Sequence, residues 1–447
     1  MWEWGGSLTR IVNMSTSSMD TRRLKVLLIV SGCDRSAIGE SWIAYQWASR
    51  MSQVHDVTVL TYRGSHTPPI GAQLPGVRVI EWPDVALFER WERFNALLKP
   101  GYLLFYLRAR RWLKRYIRSG GTFDLIHQLN PNALRYPSPA VSLGIPLIIG
   151  PRGGSLDNPP GFSRDFGKVP WYTQLRKLDK WRLRHDPFLR RTYANADGII
   201  GVAPYVMELL GDLPSREAEI ELMTETGIMD LPPRRKPRRE GEGLRLLFVG
   251  RVIRSKGARD LIRALAQVRD IKGISLDVVG VGEDMPACKN EARDLGVDHL
   301  VKFHGWRQHD EVDALYDKAD VFVFPSFREP SGIVTVEAMS HGLPMIVADR
   351  GGPRFVVDES CGFRVPVLNP DQFATDIAAC IRKLAQNPQL IESMGAAARE
   401  KIRREFLWDA KIARMTEIYY RVLAKREAAS RSRRNYASLE TELSKVS

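Results

Sequence analysis

The chain has 447 residues, a formal net charge of +14 and a pI near 9.7, with 44% hydrophobic and 26% charged residues. That length holds two or three ordinary domains, and the composition is that of a folded chain, which excludes a wholly disordered or membrane-embedded protein. The charge favours an anionic partner (a polyanion, an anionic membrane or a phosphorylated substrate), with plain solubility as the alternative.

Cys33, Cys288, Cys361 and Cys380 form no CxxC and no zinc-like spacing with histidine. They read as reduced thiols in a cytoplasmic protein, and no metal site is expected. Residues 1–20 read as a disordered tail, with Met14 and Met19 as candidate starts. The run "LKVLLIV" at 24–30 is too short to cross a bilayer and precedes no small-residue cleavage site. It reads as a first buried strand.

Short apolar runs then alternate with helical patterns. In the first half the predicted strands are "KVLLIVSG", "DVTVLTY", "VRVIEW", "FDLIHQ", "PLIIG" and "DGIIGVA"; in the second, "LRLLFVG", "SLDVVG", "VKFHG", "VFVFPS" and "PMIVAD". Continuous apolar strands between helices indicate parallel sheets covered on both faces. Residues 230–243, "DLPPRRKPRREGEG", are too rich in proline, arginine and glycine to pack and read as a linker. The fold expected is α/β: two doubly wound, Rossmann-like domains at 21–229 and 244–407 facing a central cleft. A helix over 408–427 is expected to pack back on the first domain, followed by a disordered tail at 428–447.

Within the first half, Gly39 follows the first strand, where it either permits close backbone approach to a ligand or makes an ordinary turn. No acid occurs between Glu92 and Asp124. At 100° per residue, "RARRWLKRYIR" places Ala109, Trp112, Leu113, Tyr116 and Ile117 on one arc and Arg108, Arg110, Arg111, Lys114, Arg115 and Arg118 on the other. This amphipathic cationic helix suits an anionic bilayer or a lipid-diphosphate acceptor, or packs on its own core with a solvated basic face. His127 lies at the end of the strand "FDLIHQ" and is expected to face the cleft, although a lone histidine is more often structural. "GPRGGS" at 150–155 repeats the strand-then-glycine theme and is expected to line an acceptor channel. Nucleic acid is not expected, since no recognition motif accompanies the charge.

In the second half, a strand ending at Gly250 leads into "RVIRSKG" and then the helical "ARDLIRALAQV". A helix N-terminus beside Arg251 and Lys256 suits an anion such as a pyrophosphate, although basic residues often precede helices without binding anything. The loop lacks the Walker pattern. A second strand, "VFVFPS", opens into "FREPSG" and the helical "GIVTVEAMSHG". Glu329 then stands at the cleft mouth and Glu337 inside the helix, where a buried carboxylate needs a hydrogen-bond donor such as a sugar hydroxyl; taken alone, the two also read as a loop glutamate and a solvated helical one.

The run "LYDKADVFVFPSFREPSGIVTVEAMSHGLPMIVADRGG", with "GRVIRSKG" at 250–257, resembles the retaining GT-B glycosyltransferases of family four. The E-x7-E pair falls at Glu329 and Glu337, and the resemblance covers 244–425. It implies that Arg251 and Lys256 neutralise a departing diphosphate, Glu337 binds the nucleotide ribose, and Glu329 holds the donor sugar. Gly250, Ser331, Gly332 and Ile333 would touch the donor, His127 would contact its sugar, and Gly39 would approach donor or acceptor. Ser331 stands where the family often has an aromatic residue. The implied activity is metal-independent, retaining hexosyl transfer from a nucleotide-diphosphate sugar to a glycan or lipid-linked acceptor, with no cofactor. A peripheral site on the inner face of the plasma membrane and a place in bacterial surface polysaccharide synthesis go with it. The alternatives are a sugar-nucleotide epimerase or phosphorylase of the same fold, or an inactive membrane-recruiting subunit.

Overall fold

Two parallel sheets organise the chain in a computed structural model, which describes residues 22–443 apart from 38, 65–66, 85–98, 100, 155, 166–177, 216 and 234–242. The expected tail at 1–20 and most of the expected linker lie outside the described residues. The first sheet holds β1 (Lys25–Ile29), β2 (Asp56–Arg63), β3 (Arg78–Pro83), β4 (Leu125–Gln128), β5 (Leu147–Arg152), β6 (Gly198–Gly201) and β7 (Glu219–Leu222). The second holds β8 (Arg245–Val249), β9 (Ser275–Val279), β10 (Val301–Gly305), β11 (Val321–Phe324), β12 (Met345–Ala348) and β13 (Gly362–Val365).

The first sheet runs in the order β3-β2-β1-β4-β5-β6-β7 and the second β10-β9-β8-β11-β12-β13, with the paired strands parallel throughout. Each order reverses once, between β1 and β4 and between β8 and β11. In doubly wound sheets such reversals open a crevice at the carboxyl ends of the strands, because the flanking helices depart to opposite faces. The strands β7 and β13 were not expected. Each has four residues, is only partly buried and forms a sheet edge, so neither carries a continuous apolar run.

Two apolar layers cover the first sheet. Leu27, Ile126, Ile149 and Ile199 face the helix Tyr102–Arg118 through Phe105, Ala109 and Leu113. Leu28, Leu125, Ile148 and Ile200 face the helices Glu40–Val54 and Trp408–Leu443 through Trp47, Met415, Ile418 and Val422. The returning helix Trp408–Leu443 thus packs against the first sheet although it follows the second domain in sequence. It also includes 428–443, where a disordered tail was expected. That stretch has neither glycine nor proline and is rich in Ala, Arg, Glu and Leu, so local propensity carries the helix onward. Among the described residues, no helix is long and apolar enough to cross a membrane.

The two lobes touch through a strap, the short 3-10 helix Pro160–Asp165. Phe162, fully buried, belongs to the core of the second lobe, with its ring 4.4 Å from Phe327 and 6.0 Å from Phe373. Arg254 lies over both Phe162 and Phe327 and pairs with Asp165 on the strap and Asp260 in its own lobe.

Candidate active site at the second sheet's crossover

The two motifs singled out in the second half leave adjacent strands at the reversal point. After β8, residues 250–257 lead into the helix Ala258–Gln267; after β11, residues 325–332 lead into the helix Ile333–Ser340. Their loops touch: the Ser326 hydroxyl donates to the Ser255 carbonyl at 3.3 Å. Gly257 is required twice. Its φ is 78°, and a Cβ there would sit 2.2 Å from the Pro325 carbonyl oxygen. A side chain at 257 would push the two loops apart.

Lys256 and Glu329 form an ion pair across these loops, with both side chains mostly buried. The ammonium also lies 5.5 Å from the centre of the Phe324 ring. The other oxygen of Glu329 accepts from the Gly332 N–H at 3.2 Å, at the first turn of the helix Ile333–Ser340. Gly332 caps that helix at φ 72°. The Glu329 carbonyl accepts from Gly352 N–H at 2.9 Å, which ties the loop to the next strand-end turn. Arg251 is exposed and forms no ion pair among the described residues. Ile333 is 38% exposed at the helix start. Gly250 begins the loop, held by its N–H to Val279 O at 3.0 Å.

Glu337 sits deeper. Its carboxylate accepts from the Tyr316 hydroxyl at 3.3 Å. Burial raises its pKa, opposed by nearby histidines and by the Tyr316 hydrogen bond. One partner leaves most of its lone pairs available for further donors. Tyr316 in turn stacks on His341, which Asp317 holds at 2.8 Å. The structure therefore brings Lys256, Glu329, Gly332, Ile333 and Glu337 together at one strand crossover, with Arg251 on the same loop as Lys256.

Ser331 turns elsewhere. Its hydroxyl donates to Glu225 at 2.8 Å, bridging the second lobe to the segment after β7. Glu225 is a residue the sequence reading missed. Burial raises its carboxyl to about 7, aided by Glu40 and Glu329 and opposed by the Ser331 hydrogen bond. Its own carbonyl accepts from the Trp47 indole at 2.8 Å. Only the alternation of acid and threonine in "TETG" could have hinted at it, and that is no signal by itself. Gly39, at φ 78°, starts the helix Glu40–Val54, whose first side chain Glu40 pairs with Lys99 and lies beside Glu225.

His127 does not face the cleft. It is fully buried beneath the returning helix, accepting from the Tyr419 hydroxyl at 2.6 Å through Nδ1 and donating from Nε2 to the Gly150 carbonyl at 2.7 Å. Alternation along β4 explains the misreading: Ile126 and Gln128 face the basic helix, so His127 faces the opposite side. Burial lowers its pKa to about 4, so the ring is neutral and its tautomer is fixed by these two partners.

The basic helix Tyr102–Arg118 does expose Arg108, Arg111, Lys114, Arg115 and Arg118. Leu103 and Leu107 continue the same stripe, 65% and 49% exposed. Trp112, on the apolar arc as the pattern placed it, stacks on Tyr116 with ring centres 5.1 Å apart and packs against the lobe's core, which corrects its expected share in a membrane or acceptor surface. Arg110 also turns inward, donating to the carbonyls of Pro139 and Val141.

Two doubly wound lobes with an anion-suited loop pair at a crossover define the GT-B class. The model of the family described as "Glycosyl transferases group 1" matches residues 243–383, and that of "Glycosyl transferase 4-like domain" matches 41–224. Together they span well over half of the sequence, and the chain belongs to the group 1 glycosyltransferases. It is 32% identical over 178 residues to an uncharacterized glycosyltransferase of Methanocaldococcus jannaschii, covering 40% of this chain and 44% of that one. It is 29% identical over 245 residues to the lipopolysaccharide core biosynthesis glycosyltransferase LpsE of Rhizobium meliloti, covering 54% and 70%. The matches to the first of these relatives thus span less than half of their length. Among solved structures, sucrose-phosphate synthase from Thermosynechococcus elongatus superposes with a TM-score of 0.60 at 21% identity, over 90% of this chain and 100% of that one. HepE of Anabaena, in complex with UDP and glucose, gives 0.58 at 17% identity, over 88% and 99%. These two likenesses establish the fold.

Proposed function

We propose that the chain transfers a hexose from a nucleotide-diphosphate sugar to a glycan or lipid-linked acceptor, with retention at the anomeric carbon and without a metal. The observation that carries this reading is the Lys256–Glu329–Gly332 arrangement at the crossover of β8 and β11. In the donor-bound state the diphosphate takes Lys256, with Arg251 and the N–H groups at the start of Ala258–Gln267 as further donors. Glu329, released from Lys256, accepts from hydroxyls of the donor sugar, while Glu337 accepts from the ribose. As the sugar–phosphate bond breaks, negative charge grows on the leaving oxygen. Fixed cations and amides stabilise that charge in place of a divalent ion. The leaving phosphate oxygen takes the proton of the attacking hydroxyl, so no side chain is needed as a base.

His127 drops out of this scheme, because its ring has no free nitrogen to offer a sugar. Ser331 acts on Glu225 and so couples the donor loop to the segment after β7. The five exposed cations of the basic helix, with Leu103 and Leu107, suit an anionic bilayer or a lipid-linked acceptor presented at its surface. A place in surface-polysaccharide synthesis is supported by the likeness to LpsE, a lipopolysaccharide core biosynthesis glycosyltransferase.

The test is a thermal-shift screen with UDP-, GDP- and ADP-sugars, followed by product analysis with and without a chelator. One donor class should raise the melting temperature. Transfer should survive chelation and give a product with the donor's anomeric configuration. Conversion of the donor sugar without an acceptor would instead indicate an epimerase.

A further inference from the structure

Arg152, the last residue of β5, is fully buried. None of its three guanidinium nitrogens has a hydrogen-bond partner among the described residues. On the neighbouring strand β4, Gln128 is fully buried too, and its Oε1 is likewise unpartnered. Gln128 lies opposite Ile149 of β5, three residues before Arg152, and its Nε2 donates to the Tyr102 hydroxyl at 2.9 Å, where the Arg152 charge is felt electrostatically. Arg152 also acts on Tyr193 and His127.

Neither tyrosine is oriented to satisfy the arginine. Tyr102 donates to the Pro137 carbonyl at 2.6 Å and Tyr193 to the Leu134 carbonyl at 2.8 Å. Both hydroxyls thereby hold segment 132–137 over the strand ends. The Gly153 N–H, donating to Asn132 O at 2.8 Å, fastens its near end. A guanidinium presents five N–H donors and keeps its charge at every physiological pH. Burying it without an acceptor is among the costliest arrangements a core can hold. The position is also informative: it lies at the carboxyl ends of central parallel strands, under the first residue of the basic helix.

We propose that Arg152 and Gln128 form an oxyanion subsite in the first lobe, which takes a phosphate or carboxylate group of the acceptor. The guanidinium supplies paired donors to the anionic oxygens. Gln128 Oε1 accepts from a hydroxyl next to them, a pairing that phosphoric acid monoesters and hydroxy acids both offer. Entry requires segment 132–137 to lift, which breaks the two tyrosine contacts. The inference rests on reading the first lobe as the acceptor side.

The experiment titrates the full chain with inorganic phosphate, with glucuronate and with glucose, following the melting temperature and the heat of binding. The variants are Arg152→Met, Arg152→Lys and Gln128→Glu. Phosphate or glucuronate should stabilise the natural chain, and glucose should not. A response to phosphate alone assigns a phosphorylated acceptor; a response to glucuronate alone assigns an acidic sugar. Arg152→Lys should weaken binding at least about tenfold, since a point charge replaces the fork. Gln128→Glu supplies an internal carboxylate, so it should raise the melting temperature and abolish the response, which keeps the test open if Arg152→Met fails to fold.

No response of the natural chain to either anion overturns the proposal and leaves the guanidinium to buried water. An equal response in Arg152→Lys and Gln128→Glu overturns it as well. A parallel titration with nucleotide sugars separates the two levels. Donor binding without anion binding refutes only the subsite; loss of both refutes the glycosyl-transfer reading with it.

Discussion

Lys256 and Glu329 neutralise one another while the donor is absent, and this pairing sets what each substitution should do. Lys256→Ala removes the charge that opposes the leaving diphosphate. Its kcat should fall by about 10²–10³, the range seen when one preorganised transition-state donor is lost. Turnover within a few-fold of the natural chain, measured with saturating donor, would remove Lys256 from the mechanism. His127 makes a different prediction. Its folded pKa near 4 lies below the ordinary value of 6.5, so the unfolded chain binds the extra proton between these two pH values. Its contribution is therefore fully present above pH 6.5 and is lost as pH falls towards 4, a span of about 3 kcal/mol. Urea unfolding of His127→Gln across that window should show a flatter loss of stability than the natural chain. The two residues also mark what sequence alone can tell. Lys256 and Glu329 were legible because each sits in a strand–loop–helix motif of fixed spacing. The orientation of His127 was not, because it depends on Tyr419, nearly three hundred positions away.

At the level of elements, the strap and the basic helix carry opposite expectations. Arg254 is sandwiched between two phenyl rings and two carboxylates, with Asp260 fully buried. Arg254→Met strands that carboxylate and should cost about 3–5 kcal/mol in a denaturant titration. It should also make residues around the strap more susceptible to proteolysis. An unchanged unfolding midpoint would show that the clamp contributes nothing. The basic helix instead offers exposed cations, with Arg108 also resting on Tyr62, and their removal should leave stability nearly unchanged. Replacing Arg108, Arg111, Lys114, Arg115 and Arg118 by Gln should abolish flotation with phosphatidylglycerol-containing vesicles, since each cation near an anionic surface contributes about 1 kcal/mol. Flotation undiminished in that variant would leave the charge to solubility. The helix itself was readable from its period. Its division of labour was less so: Arg110 falls on the cationic arc, and only the neighbouring segment 139–141 decides that it turns inward.

For the whole molecule, the strand order of each sheet reverses once, and the helix Trp408–Leu443 returns from the second lobe to pack on the first. The lobes and their parallel sheets were legible from alternating apolar and amphipathic runs. The strap was not, since Phe162 joins the core of a lobe more than eighty residues further along the chain. Short edge strands escaped for the reason that they are half-exposed and carry no apolar run. The interlobe contacts of Ser331 with Glu225 and of Arg254 with Asp165 make the cleft a joint property of both halves. The measurement that tests the account most directly is a crystal structure of the full chain with the nucleotide sugar that stabilises it most. The account predicts the diphosphate on Arg251 and Lys256, the ribose on Glu337 and the hexose against Glu329. A nucleotide bound away from the β8–β11 crossover, with the Lys256–Glu329 pair intact, would contradict it.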